Sequence, residues 1–277
     1  MSQEGAGPKP GSSAAPIGVF DSGVGGLSVQ RALRAELPDE AFVYFADARH
    51  APYGERGDAF VVERTLHVAA RLVDEHGIKA LVVACNTATA AAITLLRAAH
   101  PGLIVIGVEP ALKPAAAATR SGHVGVLATR GTLASGKFQA LHDALRGQAR
   151  FSLMPCDGLA GAIERLDTQA IQVLAEQYVR GLGGFGDQPG EIDTLVLGCT
   201  HYPFVAGELQ RLAGAGVKLI ETGQPVAQHT RRLLAAQGRL AAAGGSSLRL
   251  LTSGEPAALH AAASRWLGTV VPPIPVA

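Results

Sequence analysis

Short apolar runs recur along the chain, and most are followed by a stretch whose apolar residues repeat at helical spacing. Runs at 17–20 (IGVF), 41–46 (AFVYFA), 80–85 (ALVVAC), 103–108 (LIVIGV), 123–128 (HVGVLA), 150–155 (RFSLMP), 194–199 (TLVLGC), around 218 (VKLIE) and 248–252 (LRLLT) read as strands. Helical patterns cover Leu27–Leu37, Ala59–His76, Ala88–His100, Leu133–Arg146, Thr168–Leu182, Phe204–Ala213, Val226–Gln237 and Ala257–Leu267. Strands buried on both faces lose the alternation of polar and apolar positions, and strands alternating with helices predict parallel sheets covered on both sides. The expected class is α/β.

Two segments echo each other, LVVACNTAT at 81–89 and LVLGCTHYP at 195–203. Each ends an apolar run in a cysteine followed by hydroxyl, amide or imidazole residues, as when a buried strand delivers a thiol to its carboxyl end. IGVFDSGVGG from Ile17 is matched in form by VGVLATRGTLAS from Val124, and both pairs are offset by roughly 110 residues. The chain therefore reads as two related α/β halves around a shared cleft. In parallel sheets, ligands collect outside the carboxyl ends of the strands. Asp21-Ser22-Gly23, Pro52-Tyr53-Gly54, Asn86-Thr87 and Thr200-His201 all fall there.

Composition narrows the partners. With 277 residues, 48% of them hydrophobic, the chain has material for one large α/β domain or two ordinary ones. A net charge of +1, without a clustered basic run, gives no electrostatic footprint for nucleic acid or an anionic membrane, so a small molecule is the expected partner. Three cysteines without CxxC spacing suit reduced cytosolic thiols. Residues 1–16 have no apolar core and read as a mobile polar tail, neither a secretory signal nor an anchor. No stretch has the roughly 18 uninterrupted apolar residues of a membrane span. A soluble, cytoplasmic protein is expected.

The chemistry centres on the thiols. Cys85 and Cys199 both fall at a strand-to-helix junction, where backbone N–H groups and the helix dipole favour a thiolate. One buried cysteine is ordinarily packing, but two in matched contexts point to a shared site. Cys156 lacks the matching frame and reads as a structural thiol. A zinc site of Cys85, Cys156, Cys199 and His201 would draw on remote segments without a familiar spacing. Asp21 and Ser22 suit either capping of the next helix or a place in a site. GVGGLS lacks the lysine of a phosphate-binding loop, and Ser28 stands where a dinucleotide fingerprint has its third glycine, which argues against a nucleotide cofactor. His201, beside Thr200 and with Pro203 suited to a first helical turn, is placed to serve as a proton partner or to hold a carboxylate. Thr87 and Thr200 are candidates both for N-caps and for carboxylate binding through hydroxyl and N–H groups.

GVFDSGVGGLSV, DARHAPYGERG, ACNTATA, GVLATRGT and GCTHYP occur in this order over residues 17–203, and on them the chain resembles the glutamate racemase family of the aspartate/glutamate racemase superfamily. The histidine of GCTHYP is similar to the glutamate branch, where aspartate racemases usually carry an acidic residue. The resemblance implies two pseudo-symmetric domains, residues 17–108 with 220–277 and residues 109–219, with the active site between them and no cofactor. It implies Cys85 as the base for D-glutamate and Cys199 for L-glutamate, assisted by Asp21 and His201 respectively, with Glu164 supporting His201. Asp21, Ser22, Tyr53, Gly54, Asn86, Thr87, Thr129, Thr132, Thr200 and His201 align with positions that hold substrate. The family makes D-glutamate for peptidoglycan and commonly forms dimers, which makes a homodimer the assembly it implies. Departures from its pattern are Ala46 where glycine is common and a shortened VIGVEPAL segment. A racemase of aspartate or a related acid, and a non-catalytic amino-acid-binding module, are the alternatives on the same scaffold.

Overall fold

The computed structural model describes residues 12–276. A first series runs β1 (Ile17–Asp21), α1 (Leu27–Glu36), β2 (Ala41–Ala46), α2 (Asp58–His76), β3 (Ala80–Val83), α3 (Asn86–Ala99) and β4 (Ile104–Gly107). Next come α4 (Leu112–Ala118), β5 (His123–Ala128), α5 (Arg130–Ala134), α6 (Gly136–Asp143), β6 (Arg150–Pro155), α7 (Leu159–Glu164) and α8 (Thr168–Leu182). The series closes with β7 (Thr194–Gly198), α9 (Ala206–Ala213) and β8 (Lys218–Ile220). The chain then adds α10 (Gly223–Ala236), β9 (Ser247–Thr252), α11 (Pro256–Leu267) and β10 (Ile274–Pro275).

These strands form two parallel sheets, one of six in the order β10-β9-β2-β1-β3-β4 and one of four in the order β6-β5-β7-β8. The order β2-β1-β3-β4 is thus repeated by β6-β5-β7-β8, and β1 and β3 correspond to β5 and β7. The echo in the sequence is an echo of topology. Cys85 and Cys199 follow equivalent strands.

Successive residues on the inner strands enter opposite cores, the period-two rule of a pleated strand. Ile17 and Val19 pack with Leu27, Leu33, Val226 and Leu234 on one face of the large sheet, while Phe20, Leu81 and Val83 pack with Val68, Leu72 and Ile93 on the other. In the small sheet Val124, Val126 and Val196 join Leu112 and Phe138, and Leu127, Leu195 and Leu197 join Tyr178, Leu182 and Leu209. With each large side chain contributing about 1.5–3 kcal/mol on burial, the register of these strands is strongly specified. Among the described residues no helix is long and apolar enough to cross a membrane.

Several expectations change. The single helix read over Leu133–Arg146 is two, broken at Ser135, whose hydroxyl accepts the Phe138 N–H and caps α6. Helices α4 and α7, of 7 and 6 residues, and the two-residue β10 escape pattern reading because each is too short to show a period. Residues 12–16 belong to the packed molecule instead of the polar tail. Ala15 is fully buried, and the Lys79 ammonium, paired with Glu40, donates to the Ser13 carbonyl at 2.6 Å. The remainder of that tail, residues 1–11, lies outside the described residues.

Candidate active site

The carboxyl ends of β1, β2 and β3 share a cleft with those of β5, β6 and β7. Ser22, Tyr53, Gly54, Cys85, Asn86 and Thr87 line it from the large sheet, and Thr129, Glu164, Cys199, Thr200 and His201 from the small one. Two anticipated residues stand a layer behind. Asp21 is fully buried under Ser22, and Thr132, 1% exposed, receives a hydrogen bond from the Thr129 hydroxyl at 2.9 Å. Glu55, Arg130, Cys156 and Asp157 line the cleft without having been anticipated. Cys156, read as structural, is buried yet borders the cavity, because β6 ends beside β5.

Cys85 is the N-cap of α3. Its sulfur accepts the Ala88 N–H at 3.4 Å and lies 3.7 Å from the Ser22 hydroxyl. The expected thiolate preference is reversed: burial pushes the thiol up to about 12, the nearby Asp21 charge adds to this, and the Ala88 N–H and Ser22 hydroxyl offset only part. Burial likewise raises the Asp21 carboxyl, against the pull of His201 and of the Gly26 and Gly23 N–H groups. The capping alternative for Asp21 and Ser22 falls away, since the N-cap of α1 is Gly26 with no side-chain bond. Asp21 instead accepts the Gly23 N–H at 3.0 Å through one oxygen, while the other has no partner.

Cys199 has a different setting. The expected helix is present as α9, but it starts only at Ala206, and a 3-10 turn, Tyr202–Val205, with Pro203 at its start, stands between it and Cys199, so the sulfur does not cap the helix as Cys85 caps α3. A side-chain pair takes that place. The Cys199 sulfur lies 3.5 Å from His201 Nδ1, and His201 Nε2 lies 2.9 Å from Glu164 Oε1. Burial alone would lower the imidazole pKa, but Cys199 and Glu164 outweigh it and hold the group well above 6.5. Glu164 is pushed up by burial and pulled down further by His201 and the Val24 N–H, leaving it below its usual range.

Asn86 opens α3, is 4% exposed, and has no partner for either its amide nitrogen or its oxygen. A buried, unsatisfied amide on a cavity wall is a group waiting for a polar ligand. Thr87 is not a cap. It is the second residue of α3, with its hydroxyl 3.2 Å from that of Thr129, which does cap α5 through the Thr132 N–H. Thr200 is no cap either; its carbonyl accepts the Ser28 hydroxyl at 2.8 Å.

Tyr53 donates its hydroxyl to Asp47 at 2.6 Å, so the phenol is committed to the protein. Asp47 also accepts from Arg64 and from Ser253, at 2.9 and 2.8 Å, which fixes the loop that carries Tyr53 and Gly54. Burial raises the Asp47 carboxyl, but bonds from Arg64, Tyr53, Ser253 and His50 prevail and hold it at about 2. Sequence reasoning passed over Asp47, although its place just past the end of β2 marked it as it marked Asp21. Among the described residues no His, Cys, Asp and Glu side chains converge as a metal site requires.

The family model for Asp/Glu/hydantoin racemases matches residues 27–230. The glutamate racemase of Stutzerimonas stutzeri (strain A1501) is 51% identical over 234 residues, covering 83% of this chain and 85% of that protein. The crystal structure of a glutamate racemase isoform from Bacillus anthracis superposes with a TM-score of 0.84 at 32% identity, covering 95% of this chain and 97% of that one. The glutamate racemase of Francisella tularensis, solved with D-glutamate, gives 0.79 at 26% identity over 93% and 95%. Sequence and overall structure agree, and the chain belongs to the Asp/Glu/hydantoin racemase family, among its glutamate racemases.

Proposed function

We propose that this enzyme interconverts L- and D-glutamate by proton transfer at Cα between two thiols, Cys85 and Cys199. The observation that carries the reading is that equivalent strands deliver two buried sulfurs to one cleft, one of them paired with a histidine. The complex of the Francisella tularensis relative with D-glutamate supports the substrate. One sulfur takes the hydrogen from one face of Cα, breaking the C–H bond. The other thiol then delivers its proton to the opposite face. The substrate need not turn over, and no electrons are gained or lost.

In this reading Cys199 removes the proton of L-glutamate, with the His201 imidazolium supplying the positive charge a thiolate there faces. Cys85, held protonated by burial, is then the acid that completes D-glutamate. The reverse reaction exchanges the roles. The carbanion needs electrostatic stabilisation, for which the free amide of Asn86, the hydroxyls of Thr87 and Thr200 and nearby N–H groups stand around the cavity. Substrate filling the cleft displaces water from it and strengthens each of these interactions.

We assign residues 17–108 and 221–277 to one domain and 109–220 to the other, one residue later than the boundary expected from the sequence because β8 runs to Ile220 in the small sheet, with D-glutamate destined for peptidoglycan. Cys85→Ser and Cys199→Ser should each nearly abolish racemisation, followed by circular dichroism, while glutamate binding survives. Near-normal turnover in both variants would overturn the two-thiol reading. Faster turnover of L-aspartate than of L-glutamate would overturn the choice of substrate.

A further inference from the structure

The glycine-rich loop after β1 is docked against the acid–base pair of the other sheet. The Val24 N–H donates to Glu164 Oε1 at 3.2 Å. Ser28, the second residue of α1, donates its hydroxyl to the Thr200 carbonyl at 2.8 Å and lies 2.9 Å from the Gly25 carbonyl. The approach leaves no room for side chains: a Cβ at Gly23 would strike the Glu164 carboxylate, and one at Gly25 would strike the His201 ring and sit 2.7 Å from the Thr200 hydroxyl. These glycines are therefore explained by packing against Glu164 and His201.

The two thiols differ in what fixes them. Cys85 is held within its own unit by the first turn of α3. Cys199, between β7 and a short 3-10 turn, has no such support. We propose that Ser28 is a positioning residue for Cys199: its hydroxyl latches the Thr200 carbonyl, setting the 199–201 segment so that sulfur and imidazole meet the substrate in register. The second base is then assembled only while the α1 loop and the 199–201 segment are in contact, which ties its competence to closure of the cleft. Ser28 does not itself line the cavity. The inference deepens the two-thiol reading and rests on it.

The test is Ser28→Ala, with Thr65→Val as control, because Thr65 is a buried hydroxyl donating to the Val61 carbonyl on α2. Turnover is measured with L- and D-glutamate carrying deuterium at Cα. Misplacement of one base should lower kcat roughly 10- to 100-fold while KM moves by about threefold or less. The isotope effect from deuterated L-glutamate should rise in S28A, because removal by Cys199 becomes the slower step, and that from deuterated D-glutamate should fall. T65V should leave both at wild-type values. The ratio of the two effects is independent of the fraction of protein folded, so a general loss of structure cannot imitate the result. Unchanged effects, or effects that move together, overturn the latch. A rise for D-glutamate with a fall for L-glutamate supports the latch and reverses the faces assigned to the thiols. Absence of glutamate racemisation by the wild-type protein overturns the catalytic reading and the latch with it.

Discussion

The two residues that follow the thiols by two positions, Thr87 and His201, account for much of the difference between the halves of the site. A threonine leaves Cys85 with a helix cap, the Ser22 hydroxyl and a buried carboxylate nearby, whereas a histidine gives Cys199 a titratable partner oriented by Glu164. Because the His201 pKa is raised on folding, its contribution to stability is complete below about 6.5, the unfolded value, and is lost as pH rises through the folded one. Glu164→Gln should bring the folded midpoint down towards 6.5, measured by NMR titration of the ring. An unmoved midpoint would mean that Glu164 does not hold the imidazolium. Asn86→Ala should weaken glutamate binding by about 1–3 kcal/mol in calorimetry, the range for losing hydrogen bonds to a buried polar group.

Helix and strand termini carry most of the remaining chemistry. Serine is a good N-cap, so Cys85→Ser should preserve α3 and unfold within about 1 kcal/mol of the wild type even though turnover is lost. A large drop in stability would show that the sulfur is a structural element. The end of β2 depends on Asp47, which joins the Tyr53 loop to Arg64 on α2 and to Ser253 after β9. Its depressed pKa contributes stability that is present above about 3.9 and lost as pH falls towards 2. Asp47→Asn leaves Arg64 without its counter-charge and should cost about 3 kcal/mol in urea denaturation at neutral pH. The same change should flatten the acid limb of the stability profile.

At the scale of the molecule, one cleft is walled by residues of both sheets, so a ligand filling it touches both. Glutamate at about 100 times its dissociation constant should stabilise the folded state by about 2.7 kcal/mol. Hydrogen exchange should slow at Gly23–Ser28 and at 199–201 together, since these segments are hydrogen-bonded to one another. Protection confined to one of them would separate binding from closure.

The sequence by itself determined the class of fold, the repeat and most of the cleft wall. Apolar runs bury strands whatever lies elsewhere in the chain, and a parallel strand places the residues after it at the ligand-binding edge, which is why Ser22, Asn86 and Thr200 were legible. Short elements such as α7 hold too few residues to show a period, and the tie from Ser28 to Thr200 spans 172 residues with no local signal. The tertiary structure alone decided that Asp21 and Thr132 stand behind the wall, that Cys156 borders it, and that a 3-10 turn separates Cys199 from α9. It also reversed the Cys85 preference, because local position offered a helix terminus while burial, set by how both sheets close over the sulfur, acts more strongly on its charge.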